Sequence, residues 1–257
     1  RSLDIKVVVC PQDRSLAGDG CAHDGALASQ LGLPAVPSVA ETLALAQWLI
    51  LAEETHARIH FAQLSTARSV TMIADAKSRG LAISADVALA NLCYTDQAIK
   101  GYNSLCHVHP PLRSESDRLG LLQGVNDGTV DAICSHHQPH EQSSKQAPFA
   151  ETSAGMSQAE LVWPQLLSLV NNKELELIRA VESFTVGPAR VMDLPAPSFT
   201  MGHAADLTVV DIDKKWQVTR ESLISAGKNT PLLGTEVIGK PVSTLFKGNI
   251  VWQMVFQ

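Results

Sequence analysis

Short apolar runs alternate with longer helix-like stretches through the first half of the chain. The runs that predict strands are residues 4–10, 58–63, 81–87 and 129–134. Their apolar residues are consecutive rather than alternating, which is typical of strands buried on both faces. The stretches between them that predict helices are residues 38–54, 66–79 and 115–123. Strands that alternate with helices in this way predict an α/β fold in which helices cover a parallel sheet.

Four such units correspond to half of a (βα)8 barrel. A half barrel on its own would leave strand edges open, so we expect the other half to lie upstream or on another chain. The missing initiator Met and the start within a strand pattern agree with a fragment or a chain lacking its first part.

The first predicted helix follows a long loop, residues 11–37, which contains a short helical piece near residues 25–31. Loops of this length inside compact domains are usually functional. Ser38 followed by Glu41 predicts a capping box at the start of the helix after this loop.

The pattern changes after residue 156, where helices are predicted at 157–171, 173–183 and 186–192, with Pro164 kinking or interrupting the first. Later apolar runs predict strands at 205–211, 242–246 and 250–256, which we interpret as a small C-terminal β appendage. The predicted division is therefore a barrel part, residues 1–194, and part of a composite β domain, residues 195–257.

Composition excludes several classes of protein. With 45% hydrophobic and 18% charged residues, the chain of 257 residues is globular, and its net charge of −6 argues against nucleic-acid binding. The longest apolar run, 43–52, is interrupted by Gln47 and is too short to span a membrane. Five cysteines without a CxxC pair favour the reducing cytoplasm over a disulfide framework.

The stretch 127–140 carries the strongest chemical signal. A turn at Asp127-Gly128 leads into a buried strand, which is followed at once by Ser135, His136, His137 and His140. Reactive side chains at the carboxyl end of a parallel strand are how barrel enzymes present a site. His107 and His109 also alternate and could chelate a metal, although the Pro-Pro that follows favours a loop contact.

Several segments, taken together and in order, resemble the dihydroorotase family, the cyclic amidohydrolases of pyrimidine synthesis. The matching segments are Leu33-Pro34-Ala35-Val36-Pro37-Ser38-Val39-Ala40-Glu41, Leu64-Ser65-Thr66 with Ser69-Val70, Pro110-Pro111-Leu112-Arg113, Asp127-Gly128-Thr129-Val130-Asp131-Ala132-Ile133, Gln138-Pro139-His140, Ala205-Asp206-Leu207-Thr208 and Asn229-Thr230-Pro231. The resemblance implies an amidohydrolase-type metal barrel with a composite β domain, and it places this chain from the fifth barrel strand onward.

The departures from the family pattern concern its site. The resemblance places Cys10 and Gln63 where the family has metal-binding histidines, His136 where it has the catalytic Asp, and His109 where it has a substrate-contacting Asn. Asp86 to Asn91 replaces a Glu-Val-Thr-Pro-His-His motif. The family's other ligands, a His-x-His and a bridging carboxylate or modified lysine, would lie before residue 1.

Other pocket positions of the family are retained, namely His137, His140, Arg113 and Asp13. Each can be interpreted as a ligand or catalytic contact, or as a group that only holds the pocket together.

Ring opening of a cyclic amide at neutral pH needs a strong nucleophile, which a zinc pair supplies by acidifying a bridging water. An aspartate then moves the proton to the leaving nitrogen. His136 is not an anion, Gln63 is a poor zinc ligand, and Cys10 could bind zinc only as a thiolate with different reach and charge.

We therefore expect a degenerate site without a cofactor. The resemblance implies a catalytically inactive dihydroorotase-like subunit that supports assembly of aspartate carbamoyltransferase, with the catalytic chain of that enzyme as partner and self-association into a homo-oligomer. The alternative is an active cyclic amidohydrolase, acting on dihydroorotate or a hydantoin, with a zinc site rebuilt from Cys10, His136, His137 or His140.

Overall fold

The computed structural model describes residues 5–196 and 198–254. In chain order the strands are β1 (Lys6–Val9), β2 (Ala22–His23), β3 (Ala35–Val36), β4 (Arg58–Leu64), β5 (Ile83–Ala88), β6 (Ala132–Cys134), β7 (Leu207–Gln217), β8 (Glu236–Phe246) and β9 (Asn249–Gln253). The helices are α1 (Arg14–Ala17), α2 (Ala26–Leu31), α3 (Val39–Thr55), α4 (Ala67–Ser78), α5 (Leu89–Cys93), α6 (Glu115–Asp127), α7 (Val162–Asn171), α8 (Leu177–Phe184) and α9 (Val186–Val191). Single turns of 3-10 helix cover Asp96–Ile99, Ser104–Cys106, Ser143–Lys145, Phe149–Glu151 and Ala159–Leu161.

The larger sheet has four strands in the order β1-β4-β5-β6, and every pair is parallel. Helices α3, α4 and α6 connect these strands in turn, which confirms the predicted α/β alternation. Phe61 on β4 and Val87 on β5 are fully buried because helices cover the sheet. The first predicted residue of β1, Asp4, lies outside the described residues.

The start of α3 differs from the sequence prediction. Ser38 has helical backbone angles and makes no capping hydrogen bond through its side chain, so the predicted capping box is wrong. Glu41 is buried and turns instead toward the amino-terminal end of α4, where Ser65 N and Thr66 N each donate to its carboxylate. Its carboxylate therefore holds the turn that precedes α4 and does not cap its own helix.

Helix α7 begins at Val162, five residues later than predicted, after the 3-10 turn Ala159–Leu161. Pro164 lies in the first turn of α7, where the missing backbone N–H would have no partner within the helix. The proline therefore neither kinks nor interrupts this helix.

The C-terminal strands form an antiparallel sheet in the order β7-β8-β9. Leu161, Val218 and Leu223 form a small buried cluster beside it, with Trp216 and Val237 packed against them. Strands β7 and β8 are longer than predicted, and the end of the predicted last strand, residues 255 and 256, lies outside the described residues. The predicted division at residues 194 and 195 stays a prediction.

None of the helices in residues 5–196 and 198–254 has the length and apolar character that crossing a membrane requires.

Candidate functional site

Neighbouring parallel strands bring the predicted site residues to one rim of the sheet. Cys10 follows β1, Gln63 lies near the end of β4, and His136 follows β6. Cys10 Sγ lies 3.9 Å from Gln63 Oε1. Because the carboxyl ends of parallel strands meet at one edge, residues distant in sequence share this rim.

Asp86 is the centre of the hydrogen bonding at this rim. Its Oδ2 lies 2.8 Å from His60 Nε2, and its Oδ1 accepts a hydrogen bond of 2.9 Å from the Gln63 backbone N–H. The other ring nitrogen of His60 lies 2.8 Å from Ser84 Oγ. Burial, followed by the charge of Asp86 and a hydrogen bond to it, raises the pKa of the Cys134 thiol. The carboxylate is thus engaged by its own neighbours.

No site role was predicted for His60, and Asp86 was considered only as the first residue of a segment that replaces a family motif. A signal was present, because each is an ionisable residue in the interior of a strand predicted to be buried. A buried polar group needs a hydrogen-bond partner. Two such groups on adjacent strands can be hydrogen-bond partners of each other.

The backbone has an unusual conformation at two of the predicted positions. Gln63 has φ 59° and His136 has φ 46°, in the left-handed region that residues other than glycine rarely adopt. The pairing of β4 with β5 also shifts register between Phe61 and Leu64. Conformations of this kind cluster at ligand sites. They occur here at the two positions where the resemblance places a metal ligand and the catalytic Asp of the family.

His136 and Cys10, two titratable side chains at the predicted site positions of the rim, are both neutral at pH 7. Burial lowers the pKa of His136; the Asp86 charge opposes this shift, and His109 adds to it. Desolvation, with smaller effects from the Glu41 and Asp86 carboxylates, raises the pKa of the Cys10 thiol to about 11. The rim therefore presents a neutral imidazole and a protonated thiol.

These donors do not fit a zinc pair. Gln63 offers an amide, which is a poor zinc ligand, and both oxygens of Asp86 already accept hydrogen bonds from neighbouring groups. Within the part of the chain that the structure describes, no three His, Cys, Asp or Glu side chains are grouped so that they could hold a metal ion.

His109 and His107 have separate partners. The Nε2–H of His109 donates to Gln12 Oε1 at 2.6 Å and so joins the segment after β1 to the segment before α6. His107 is buried, with Nδ1 2.7 Å from Thr152 Oγ1 and its ring stacked on Phe149 at 4.8 Å between centroids. Neither lies in a strand, and their contacts are the loop contacts that the Pro-Pro favoured.

The retained histidines after β6 make contacts with the main chain. His137 Nδ1 accepts from the backbone N–H groups of Gln158 and Ala159 at 3.0 and 3.1 Å, so its proton lies on Nε2, 3.5 Å from Ser225 Oγ. A nucleophilic serine needs the opposite tautomer of its histidine. His140 Nε2 donates to Ala154 O at 2.9 Å. These ring nitrogens hold loops together.

Asp13 and Arg113 are likewise engaged by the protein. Asp13 caps α1, because its Oδ1 accepts from Ser15 N at 2.8 Å and Leu16 N at 3.1 Å. Arg113 is buried and donates from Nη1 to Val36 O at 2.6 Å and from Nε to Ser65 Oγ at 3.1 Å.

Glu41 connects these segments. Its carboxylate accepts from Ser65 N at 3.1 and 3.0 Å, from Thr66 N at 3.1 Å, from Thr66 Oγ1 at 3.0 Å and from Ser69 Oγ at 2.6 Å. Arg113 reaches the same cluster through Ser65. Three of the segments that carry the family resemblance therefore meet in one buried hydrogen-bond network that the sequence analysis did not anticipate.

Comparisons with known proteins agree with this architecture. The model of the amidohydrolase family matches residues 20–251. A dihydroorotase-like protein of Pseudomonas aeruginosa is 43% identical over 97% of this chain and 59% of its own length, and a dihydroorotase of Syntrophus aciditrophicus is 36% identical over 98% and 59%. The chain thus spans about three fifths of these relatives.

Solved structures show the fold. The L-hydantoinase of Arthrobacter aurescens superimposes with a TM-score of 0.86 at 24% identity, over 98% of this chain and 58% of that one. This agreement confirms the predicted fold class, a (βα)8 barrel of which the chain covers about half, with a C-terminal antiparallel sheet. The resemblance to dihydroorotases is confirmed as well, and the chain belongs to the amidohydrolase family.

Proposed function

We propose that the chain is part of a catalytically inactive dihydroorotase-like subunit that supports assembly of aspartate carbamoyltransferase. The observation that carries the proposal is the state of the rim, where Asp86 is bound by His60 and the Gln63 backbone while Cys10 and His136 are neutral.

Ring opening of dihydroorotate would need a hydroxide and an anion that takes its proton. The resemblance places His136 at the position of that anion, but His136 is uncharged at pH 7, and its lowered pKa makes it a weak base. Asp86 is an anion, but its oxygens accept from His60 and the Gln63 backbone. The rim residues of this chain therefore support neither step.

The retained segments support a scaffolding role. Glu41, Ser65 and Arg113 bind one another in the core, and their geometry is explained without a substrate. An architectural subunit needs its structural segments but not its metal ligands. This chain keeps the structural segments and differs from the family pattern at the metal-ligand positions.

The partner, the catalytic chain of aspartate carbamoyltransferase, comes from the resemblance to inactive dihydroorotase-like proteins. Segments 11–37 and 88–113 are the candidate contact surface. They share a buried cluster in which Cys21 and Leu27 of the first segment pack with Ile99 and Leu112 of the second. This shared core packs the two segments against each other.

Two measurements test the proposal. The purified protein is mixed with the aspartate carbamoyltransferase catalytic chain at micromolar concentration and passed over a sizing column, where co-elution is expected and separate peaks would contradict the assembly role. Zinc content and dihydroorotate or hydantoin ring opening are then measured on the same protein. Stoichiometric zinc together with ring opening would establish the alternative, an active hydrolase with a rebuilt site.

A further inference from the structure

A cavity of about 210 Å³ has a lining that includes none of the rim residues. Three stretches of the chain enclose it, namely residues 104–105, 140–146 and 220–233. Its lining includes three cationic side chains, those of Lys145, Arg220 and Lys228, and no aspartate or glutamate among the described residues. The whole chain carries a net charge of −6, so this cavity concentrates positive charge within an acidic protein.

Lys145 is a buried cation, with 7% of its surface exposed. Its Nζ donates to Ser104 O at 3.1 Å, to His107 O at 3.3 Å and to Ser153 O at 2.6 Å. These carbonyl groups satisfy the N–H donors, but they are uncharged and do not balance the ammonium. A lysine is almost never fully buried unless an opposite charge is paired with it, so this ammonium lacks the partner that its burial calls for.

The pKa values around Lys145 indicate the same excess of positive charge. Burial lowers the pKa of Lys145 to about 8, and burial followed by the Lys145 charge lowers that of His107 to about 4. The group whose charge opposes the shift of Lys145 is the Cys106 thiol, and burial raises the pKa of this thiol to about 11. Because the thiol is uncharged at pH 7, it leaves the ammonium unbalanced.

Arg220 and Lys228 bring two further charges to the cavity. Lys228 is half-buried, and its Nζ donates to Leu223 O. Arg220 is exposed and forms no hydrogen bond or ion pair within the described residues. Hydrogen bonds from its own backbone N–H and from Thr219, followed by the charges of Arg220 and Lys228, lower the pKa of the exposed Glu221. One exposed carboxylate beside three cations leaves the cavity positive.

We propose that this cavity binds a small oxyanion with two negative charges, either free phosphate or the phosphate group of a small molecule. Guanidinium and ammonium groups are the side-chain groups that bind phosphate in proteins. The volume is below the roughly 300–1,000 Å³ of pockets for drug-sized ligands, which suits a small anion. The bound dianion supplies the counter-charge that Lys145 lacks, and Arg220 and Lys228 donate to its oxygens.

Two other polar residues of the lining are engaged by the protein. His140 Nε2 donates to Ala154 O at 2.9 Å, and Asn229 Nδ2 donates to Gln138 O at 2.9 Å and to Gly155 O at 3.1 Å. The contacts with the anion therefore fall to the cations. Anion binding here does not depend on the proposed role with aspartate carbamoyltransferase.

The test is isothermal titration calorimetry of the purified protein with inorganic phosphate and with sulfate, at an ionic strength held constant with sodium chloride. Saturable binding at one site is expected for both dianions. Arg220→Gln and Lys228→Gln are each expected to raise the dissociation constant about tenfold, the loss typical of one charge-assisted hydrogen bond.

Lys214→Gln is the matched control, because Lys214 is exposed on β7 and outside the cavity. It removes the same charge and is expected to leave the dissociation constant unchanged. Circular dichroism checks that each variant is folded. Arg220→Gln removes no hydrogen bond or ion pair within the described residues, so it remains a valid test even where Lys228→Gln unfolds.

Proton uptake is a second readout, and it reports on Lys145. A dianion in the cavity raises the pKa of this ammonium from about 8, so sulfate binding at pH 8 is expected to take up a proton in at most about half of the molecules. Calorimetry in two buffers with different ionisation enthalpies measures the uptake. Lys145→Met is expected to abolish it.

Three outcomes would overturn the proposal. They are heats that do not saturate, an unchanged dissociation constant in folded Arg220→Gln, and sulfate binding at pH 8 without proton uptake. Glycerol 3-phosphate separates the two sources of the anion, and either result supports the site. Binding at least tenfold tighter than that of inorganic phosphate identifies the phosphate group of a small molecule, whereas equal or weaker binding identifies the free anion.

Discussion

Glu41 allows a direct test of the idea that the retained family segments are a scaffold. The carboxylate is buried at 4% exposure and accepts from the backbone N–H groups of Ser65 and Thr66 and from the hydroxyls of Thr66 and Ser69. Replacing Glu41 with Ala removes both carboxylate oxygens, which are the acceptors of these hydrogen bonds, and leaves the donors in place.

The magnitude follows from which donors can find another partner. Hydroxyl groups can rotate toward other acceptors, whereas the two backbone N–H groups cannot. Each buried donor left without an acceptor costs about 1–3 kcal/mol, and Arg113 also loses a nearby opposite charge. We therefore expect Glu41→Ala to lower the free energy of unfolding by about 4–6 kcal/mol, a large part of the roughly 5–15 kcal/mol typical of a domain.

Glu41→Gln is the milder test. It keeps one acceptor oxygen but replaces the other with an NH2 group and removes the charge that strengthens the hydrogen bonds. The expected loss is about 2–3 kcal/mol. The control is Glu54→Gln, an exposed position on the same helix, where a change within about 0.5 kcal/mol is expected.

The assay is urea unfolding followed by circular dichroism, with the midpoint and slope fitted for each variant. If Glu41→Gln unfolds at the same urea concentration as Glu54→Gln, the network does not hold the segments together and the scaffold interpretation is wrong.

Three further predictions concern stability. Burial, with the charges of Lys145 and His109, lowers the pKa of His107 to about 4. As the pH falls, the unfolded chain therefore binds the proton first, and about 3 kcal/mol of stability that is present above pH 6.5 is lost on approaching pH 4. Acid unfolding of His107→Gln should not show this loss. Burial lowers the pKa of Lys145 to about 8, so the folded state loses its proton first as the pH rises. The stability of the wild type relative to Lys145→Met should therefore rise by about 3 kcal/mol between pH 8 and 10.5. A stability difference that does not change with pH would contradict this. A Cβ on Gly187 would lie 2.0 Å from Asp131 O. Gly187→Ala should therefore lower the free energy of unfolding by about 1–3 kcal/mol, which a lower thermal midpoint would report. An unchanged midpoint would show that the backbone shifts freely there.

The sequence by itself determined the order and type of the main elements. Consecutive apolar residues such as Val7, Val8 and Val9 predict strands, and the helix-forming stretches between them require parallel crossovers. The expected burial on both faces is wrong for β1, where Val8 is 57% exposed in the edge strand of the described sheet. The position of Cys10, Gln63 and His136 at one rim also followed from the sequence, because each ends or follows a strand of a parallel sheet.

Only the tertiary structure decided which polar groups pair. Glu41 lies three residues after Ser38, which suggested a cap on its own helix, yet its buried carboxylate accepts from Ser65 N and Thr66 N just before the next helix. His60 and Asp86 are 26 positions apart and meet at 2.8 Å because β4 and β5 are neighbours. Local patterns report backbone preference and burial, whereas a hydrogen bond depends on distances between strands and helices that no local pattern contains.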